Sequence, residues 1–306
     1  MTGFTRRGWL LFAAMGLLWG IPYLLIKVAV DSFSPPAIVA GRTLIGALLL
    51  LPFAIRSGAL RQAAKKWPWV LAFGLIEMAG PFLLLGHAEQ SLPSGLTGLL
   101  VATVPLFATL IALGGGDRTA LRPIRILGLL LGLGGVALIV LGPGVGVTDG
   151  ALFAVGEVLL VALLYAIAPF IVARKLADVP SMGSICLALL IVGIGYLPAA
   201  ILTTHTVPSV PSIVSLVLLG VLCTAVAFLV FFALIAQVGP VNAPLFTYIN
   251  PIVALLLGVL IMGEHLGAGL LIGAPIVLVG CWLAATGGRL RPRPAATEPE
   301  DATLTS

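Results

Sequence analysis

The sequence predicts an all-α integral membrane protein of ten transmembrane helices, built as two inverted five-helix repeats with both termini in the cytoplasm. Three observations predict it. Of the 306 residues, 60% are hydrophobic and 9% charged, with a mean hydropathy of +1.20, whereas soluble domains carry roughly 25% charged residues. Ten apolar runs, separated by short polar breaks, reach the length of about 20 residues that a helix needs to cross a bilayer core. Finally, Gly74, Phe82, Leu83, Pro105, Ala108 and Leu110 recur without a gap, 146 residues later, as Gly220, Phe228, Leu229, Pro251, Ala254 and Leu256.

Five spans per copy is an odd number, so the second copy enters the membrane upside down. A β-barrel is excluded because nothing in the chain alternates apolar and polar residues. Residues 1–8 form a short cytoplasmic leader. Thr5-Arg6-Arg7-Gly8-Trp9 has the look of a twin-arginine export signal, but the run behind it is span-length and ends in Ala29-Val30-Asp31 instead of a small-residue cleavage site. It is span 1, residues 9–30, with Trp19 at mid-depth and Lys27 near its outer end.

Span 2, residues 35–55, carries Arg42 about seven residues, roughly 10 Å, inside its outer end. Span 3, residues 67–87, carries Glu77 near the midplane. Span 4, residues 94–114, is interrupted by Pro105, which lacks an N–H and frees the carbonyl of Val101; Thr103 and Thr109 are its polar neighbours. Span 5, residues 123–142, holds Gly128 and Gly132. The first repeat is thus 9–142, and a Gly-rich outer segment, Gly142 to Asp149, joins it to the second, 150–287.

In the second repeat, span 6, residues 150–172, carries Glu157 about as deep as Arg42, and Tyr165 at mid-depth. Spans 7 (182–203), 8 (211–236) and 10 (268–286) contain Cys186, Cys223 and Cys281, whose scatter has no metal or redox spacing and reads as small buried side chains. Span 9, residues 240–262, has Pro251 at its middle, freeing the carbonyl of Thr247 beside Tyr248 and Asn250. Residues 288–306 form a polar cytoplasmic tail expected to be disordered.

Fourteen of the sixteen Lys and Arg residues fall at the termini or in loops after even-numbered spans, among them Arg56, Lys66, Arg125, Arg174 and Lys175. The opposite loops carry Asp31, Glu89, Asp149, His205 and Glu264. The positive-inside rule then places both termini in the cytoplasm of a multi-pass plasma (inner) membrane protein. The net charge of +5 reflects this bias and an anionic inner leaflet, and is too dispersed for nucleic acid.

Four charges remain inside spans: Lys27, Arg42, Glu77 and Glu157. Each costs a few kcal/mol unless paired or hydrated. Lys27 either snorkels to outer headgroups or anchors a substrate carboxylate. Arg42 is expected to pair with Glu157, as a structural bridge or an outer gate. Glu77 is either a neutral, hydrogen-bonded carboxyl or the protonatable group that a proton-coupled carrier needs. Trp19, Lys27, Glu77, Thr103, Tyr165, Thr247, Tyr248 and Asn250 are the candidate cavity residues, with Pro105 and Pro251 as helix kinks. Gly128 with Gly132, and Gly269 with Gly273, have the spacing of close helix packing, either inside one subunit or in a homodimer.

The segment from Pro251 through Gly263-Glu264, followed by Gly273 and Gly280, resembles the closing signature of the EamA-type domain of the drug/metabolite transporter superfamily. Pro105 to Asp117, then Gly128 and Gly135, repeats it. Trp19-Gly20, Lys27 and Arg42 are similar to that family's opening pattern. The resemblance spans nearly the whole chain and implies a ten-helix carrier of small metabolites, such as amino acids or toxic compounds, usually outward. The chain departs from the pattern with Asp117 in place of Glu after Gly114-Gly115-Gly116, and with Leu164-Tyr165-Ala166 where the second repeat would have Trp-Gly.

No zinc-protease, nucleophile-elbow or phosphate-loop motif is present, no cofactor is implied, and adjacent Glu264 and His265 diverge on a helix, so no metal site is expected. A secondary transporter working by alternating access is the leading expectation. A passive channel or scaffold, or a polytopic membrane enzyme, are the alternatives.

Overall fold

The computed structural model describes residues 5–116, 121–142, 149–204, 207–239, 243–265 and 267–287. Asp117, His205, the segment after Gly142 and the 288–306 tail lie outside the described residues. Among the described residues, ten helices are long and apolar enough to cross a membrane: Arg6–Ala29, Pro35–Arg56, Trp67–Ala88, Ser94–Gly114, Pro123–Leu141, Gly150–Lys175, Ser181–Thr203, Val210–Val238, Leu245–Met262 and Ala268–Thr286. They are spans 1 to 10. No strand occurs among the described residues.

Local sequence explains where spans begin. Ser34 and Ser209 accept a backbone N–H two or three residues into spans 2 and 8, and each of these helices has Pro in its first turn, where the missing N–H is no loss. The same logic changes the reading of the mid-span prolines. Pro105 and Pro251 do not kink continuous helices. Span 4 stops at Val101 and restarts at Val104, and the α-helix of span 9 begins at Asn250 after a 3-10 stretch, Ala243–Tyr248. Each proline sits in the first turn of a new segment. Span 1 is divided too, into Arg6–Leu18 and Pro22–Ala29, around Trp19.

Spans 3 and 8 carry a third kind of irregularity. Leu75–Ala79 and Val221–Val226 are π-helical, and the two bulges occupy equivalent positions of the repeat. Such bulges are rare and concentrate at functional sites.

The most extensive helix contacts join span 5 to span 10 and span 2 to span 7. Span 4 also packs on span 9, span 1 on span 8 and span 3 on span 6. Each pair either joins equivalent helices of the two copies or has its mirror in another pair, which is the pattern of two copies related by a pseudo-two-fold axis in the membrane plane.

Gly128 and Gly280 bring spans 5 and 10 into backbone contact. A Cβ on Gly128 would lie 2.4 Å from the Ala284 nitrogen, and one on Gly280 would lie 2.3 Å from the Gly132 nitrogen; Gly273 faces Ile139, and Gly269 faces Leu138 and Gly142. The four glycines proposed for a homodimer are therefore occupied inside one chain, and offer no free surface to a second copy.

The two ends of the bundle differ. At the acidic end, which carries Glu89, Glu157 and Glu264, a single buried core takes in Ile26, Ala29, Leu85, Leu92, Leu96, Val140, Val155 and Leu270. Toward the basic end, one cluster gathers spans 2, 3, 6 and 7 and another gathers spans 1, 8 and 9 around Met15 and Phe246. Lys66 bridges the carbonyl of Lys175 and the carboxylate of Asp178 there; that hydrogen bond holds the Asp178 carboxyl below its usual range.

Candidate functional site

A cavity of about 630 Å³ lies among the broken and bulged helices. It runs from Gly98 and Leu85 toward the acidic end to Ala112, Arg125 and Ala285 near the basic end. The irregular segments supply its wall: Trp19 from the break in span 1, Glu77 and Cys223 from the π-bulges, Val101 and Pro105 from the break in span 4, and Thr247, Asn250 and Pro251 from span 9. Non-helical backbone at membrane depth is tolerated only against protein or a polar space. The breaks and the cavity thus account for one another.

Six of the eight sequence-derived cavity residues line it: Trp19, Glu77, Tyr165, Thr247, Tyr248 and Asn250. Thr103 does not; it is buried and its hydroxyl donates to the Leu100 carbonyl at 2.6 Å. Lys27 does not either. Its ammonium donates to the carbonyls of Glu89 (2.6 Å) and Leu92 (3.0 Å), satisfying groups left open where span 3 ends. It neither snorkels nor faces the cavity.

The pairing expected between Arg42 and Glu157 is not formed. Glu157 bonds the exposed His87 Nδ1 at 2.8 Å, while Arg42 turns inward, 5% exposed, with its guanidinium carbon 3.8 Å over the Phe82 ring. Such stacking contributes about 2 kcal/mol when desolvated. The facing direction around each helix was not legible in the sequence. The Arg42 Nε has no hydrogen-bond partner among the described residues, and Arg42 and Glu77 border the same cavity with no salt bridge to any described residue.

Trp19 ties two irregular elements together. Its indole N–H donates to the Cys223 carbonyl at 3.2 Å, within the π-bulge of span 8, and its rings pack against Phe228, Phe231 and Phe246. In span 3, the Tyr196 hydroxyl donates to the Ala79 carbonyl at 3.1 Å. Tyr23, Phe82, Phe228 and Arg125 also line the cavity; a Pro in the first turn after Trp19-Gly20 was the available signal for Tyr23, whereas Arg125 reads as an ordinary flanking charge.

At the acidic end the seal is built by Glu264. Gly263, at φ +65, ends span 9 and lets the Glu264 N–H return to the Gly258 carbonyl at 3.0 Å. The carboxylate then accepts from the Ser94 N–H (2.6 Å), the Ser94 hydroxyl (2.8 Å) and the Gly95 N–H (3.0 Å), placing negative charge on the positive end of span 4. Gly258 makes room: a Cβ there would lie 2.2 Å from the Glu264 Oε2. Glu264 is therefore a cap between repeats.

Ten spans and, among the described residues, a central cavity bordered by charges without a salt bridge define, with the repeat-related fold, a polytopic membrane transporter. The comparisons agree. The EamA-like transporter family matches the chain twice, over residues 6–141 and 151–286, and the chain belongs to that family. It is 28% identical over 258 residues to the uncharacterized inner membrane transporter YedA of Escherichia coli K12, covering 83% of this chain and 82% of the relative. It is 27% identical over 288 residues to the uncharacterized transporter YvbV of Bacillus subtilis, covering 90% and 91%. A solved structure at 22% identity aligns with 91% of this chain and 96% of its own, with a TM-score of 0.63, a likeness of fold. The protein is thus a multi-pass inner-membrane transporter.

Proposed function

We propose that this protein is a secondary active exporter of small amphipathic metabolites, amino acids or toxic compounds among them, working by alternating access and driven by proton entry. Both termini are cytoplasmic, by the distribution of Lys and Arg, which makes the basic end the inner one and the cavity inward-facing. The observation that carries the reading is that Arg42 and Glu77, of opposite charge, border one largely apolar cavity without a salt bridge among the described residues. A guanidinium suits a carboxylate, a carboxylate suits an ammonium, and Trp19, Tyr23, Phe82 and Phe228 suit an apolar side chain. Glu77 is also the group that exchanges a proton for the substrate, since one carboxylate cannot serve both at once.

The test begins with overexpression and a growth screen for resistance to amino acids, their analogues and toxic cations. The solute that scores is then followed in proteoliposomes. Wild-type protein accumulates it against its gradient when a pH gradient is imposed, whereas Glu77→Gln retains exchange of labelled for unlabelled solute and loses uphill accumulation. Uphill accumulation by Glu77→Gln overturns its coupling role, and flux that neither saturates nor shows counterflow favours a channel.

A further inference from the structure

Glu89 stands just beyond the end of span 3, in a position that loop carboxylates rarely occupy: it is 0% exposed. Both of its carboxyl oxygens are sealed and have no hydrogen-bond partner among the described residues. Titratable and charged groups reach it from three neighbouring elements. Lys27 and Tyr23 face it from span 1, Arg42 from span 2 and Glu264 from the turn after span 9; on its own span His87 is committed to Glu157 of span 6. The Lys27 ammonium, the nearest cation by sequence logic, is bound to the Glu89 and Leu92 carbonyls and makes no salt bridge with the Glu89 carboxylate.

A sealed carboxylate short of donors costs several kcal/mol to keep ionised, while the same group as a neutral acid costs far less. We infer that Glu89 is a proton-binding site of the acidic end, which closes over Glu89 only when that carboxyl is protonated. Glu89 does not line the cavity, although Tyr23 and Arg42 border both, and its ligand is the proton itself. Burial pushes the Glu89 carboxyl well above the usual range, with Glu264 adding to the shift and Lys27 and Arg42 opposing it.

The sign follows from linkage. Opening hydrates Glu89 and returns it toward an ordinary value near 4.3, so the closed form binds the proton more tightly. Closure is favoured at low pH and is lost as pH rises through the closed-state value, by at most about tenfold per pH unit for one proton.

The experiment reads this without knowing the substrate. In detergent-solubilised protein lacking its native cysteines, Leu92→Cys places a thiol in the sealed turn, and its maleimide labelling rate is followed against pH, normalised to the unfolded protein at each pH. Labelling is expected to rise by up to about tenfold per pH unit on going alkaline, and to become slow and flat in Glu89→Gln. An unchanged pH profile in Glu89→Gln overturns the inference. If that variant does not fold, infrared spectra decide: a protonated-carboxyl band at neutral pH that shifts in Glu89→Asp supports the site, and its absence overturns it. Neither readout depends on export, on Glu77 or on which end is cytoplasmic, so failure here and failure of the transport reading are separable.

Discussion

The π-bulges of spans 3 and 8 are the same backbone event in two copies, yet they present different chemistry to the cavity. Leu75–Ala79 delivers Glu77, and Val221–Val226 delivers Cys223 at the equivalent position. The partners that steady them differ as well: Tyr196, from span 7, reaches the Ala79 carbonyl, whereas Trp19, from the broken span 1, reaches the Cys223 carbonyl. Duplication thus supplies the frame, and the differences between copies supply the site. Under the proposed function the carrier binds an unsymmetrical solute in an almost symmetrical shell, and one charged bulge facing one neutral bulge suits that task.

Moving the charge is the strongest way to break this contrast. Cys223→Glu places a carboxylate within electrostatic reach of Arg42, and pairing of the two removes the guanidinium from the cavity. Transport is expected to fall to background, in the single variant and in Glu77→Gln with Cys223→Glu, measured as solute counterflow. Recovery in the double variant would show that the copies are interchangeable.

A second, smaller effect concerns the seal between copies. Gly258→Ala drives a methyl into the Glu264 carboxylate and removes its hydrogen bonds to the start of span 4. Loss of bonds to a charged group costs about 1.5–3 kcal/mol, seen as a lower melting temperature, while Gly134→Ala, where a Cβ meets open space, leaves it unchanged. Smallest is Trp19→Phe, which keeps the aromatic cluster but loses the bond to the Cys223 carbonyl. About 1 kcal/mol is expected, with transport slowed by less than Cys223→Glu; equal loss in both would make the bulge geometry, and not its charge, the determinant.

The ten spans were legible because apolar length is written directly into the chain, and their order followed from the 146-residue repeat. Ends drifted by a few residues: span 6 runs on to Lys175, past residue 172. Prolines announced the interruptions in spans 4 and 9, although as restarts and not kinks. The bulges were invisible, since a π-turn leaves no mark in an all-apolar run that has no periodicity to disturb. The site was read by depth alone, and depth placed Trp19, Glu77, Tyr165 and Asn250 where they line the cavity. It failed for Lys27, Arg42 and Glu157, whose partners depend on the direction each side chain takes around its helix. Glu89 was missed for a related reason: a loop acid looks solvated until the turn holding it is seen to be buried.

The matching registers of the two bulges have a historical consequence. An inserted residue that widens one helical turn is a discrete event, and two independent insertions at the same place in two copies are less parsimonious than one insertion copied. The bulge then predates the duplication. Copying a single insertion implies a five-helix unit that carried the bulge before it was doubled. In the single chain one bulge carries Glu77 and the other Cys223, a specialisation that an assembly of identical subunits cannot reach.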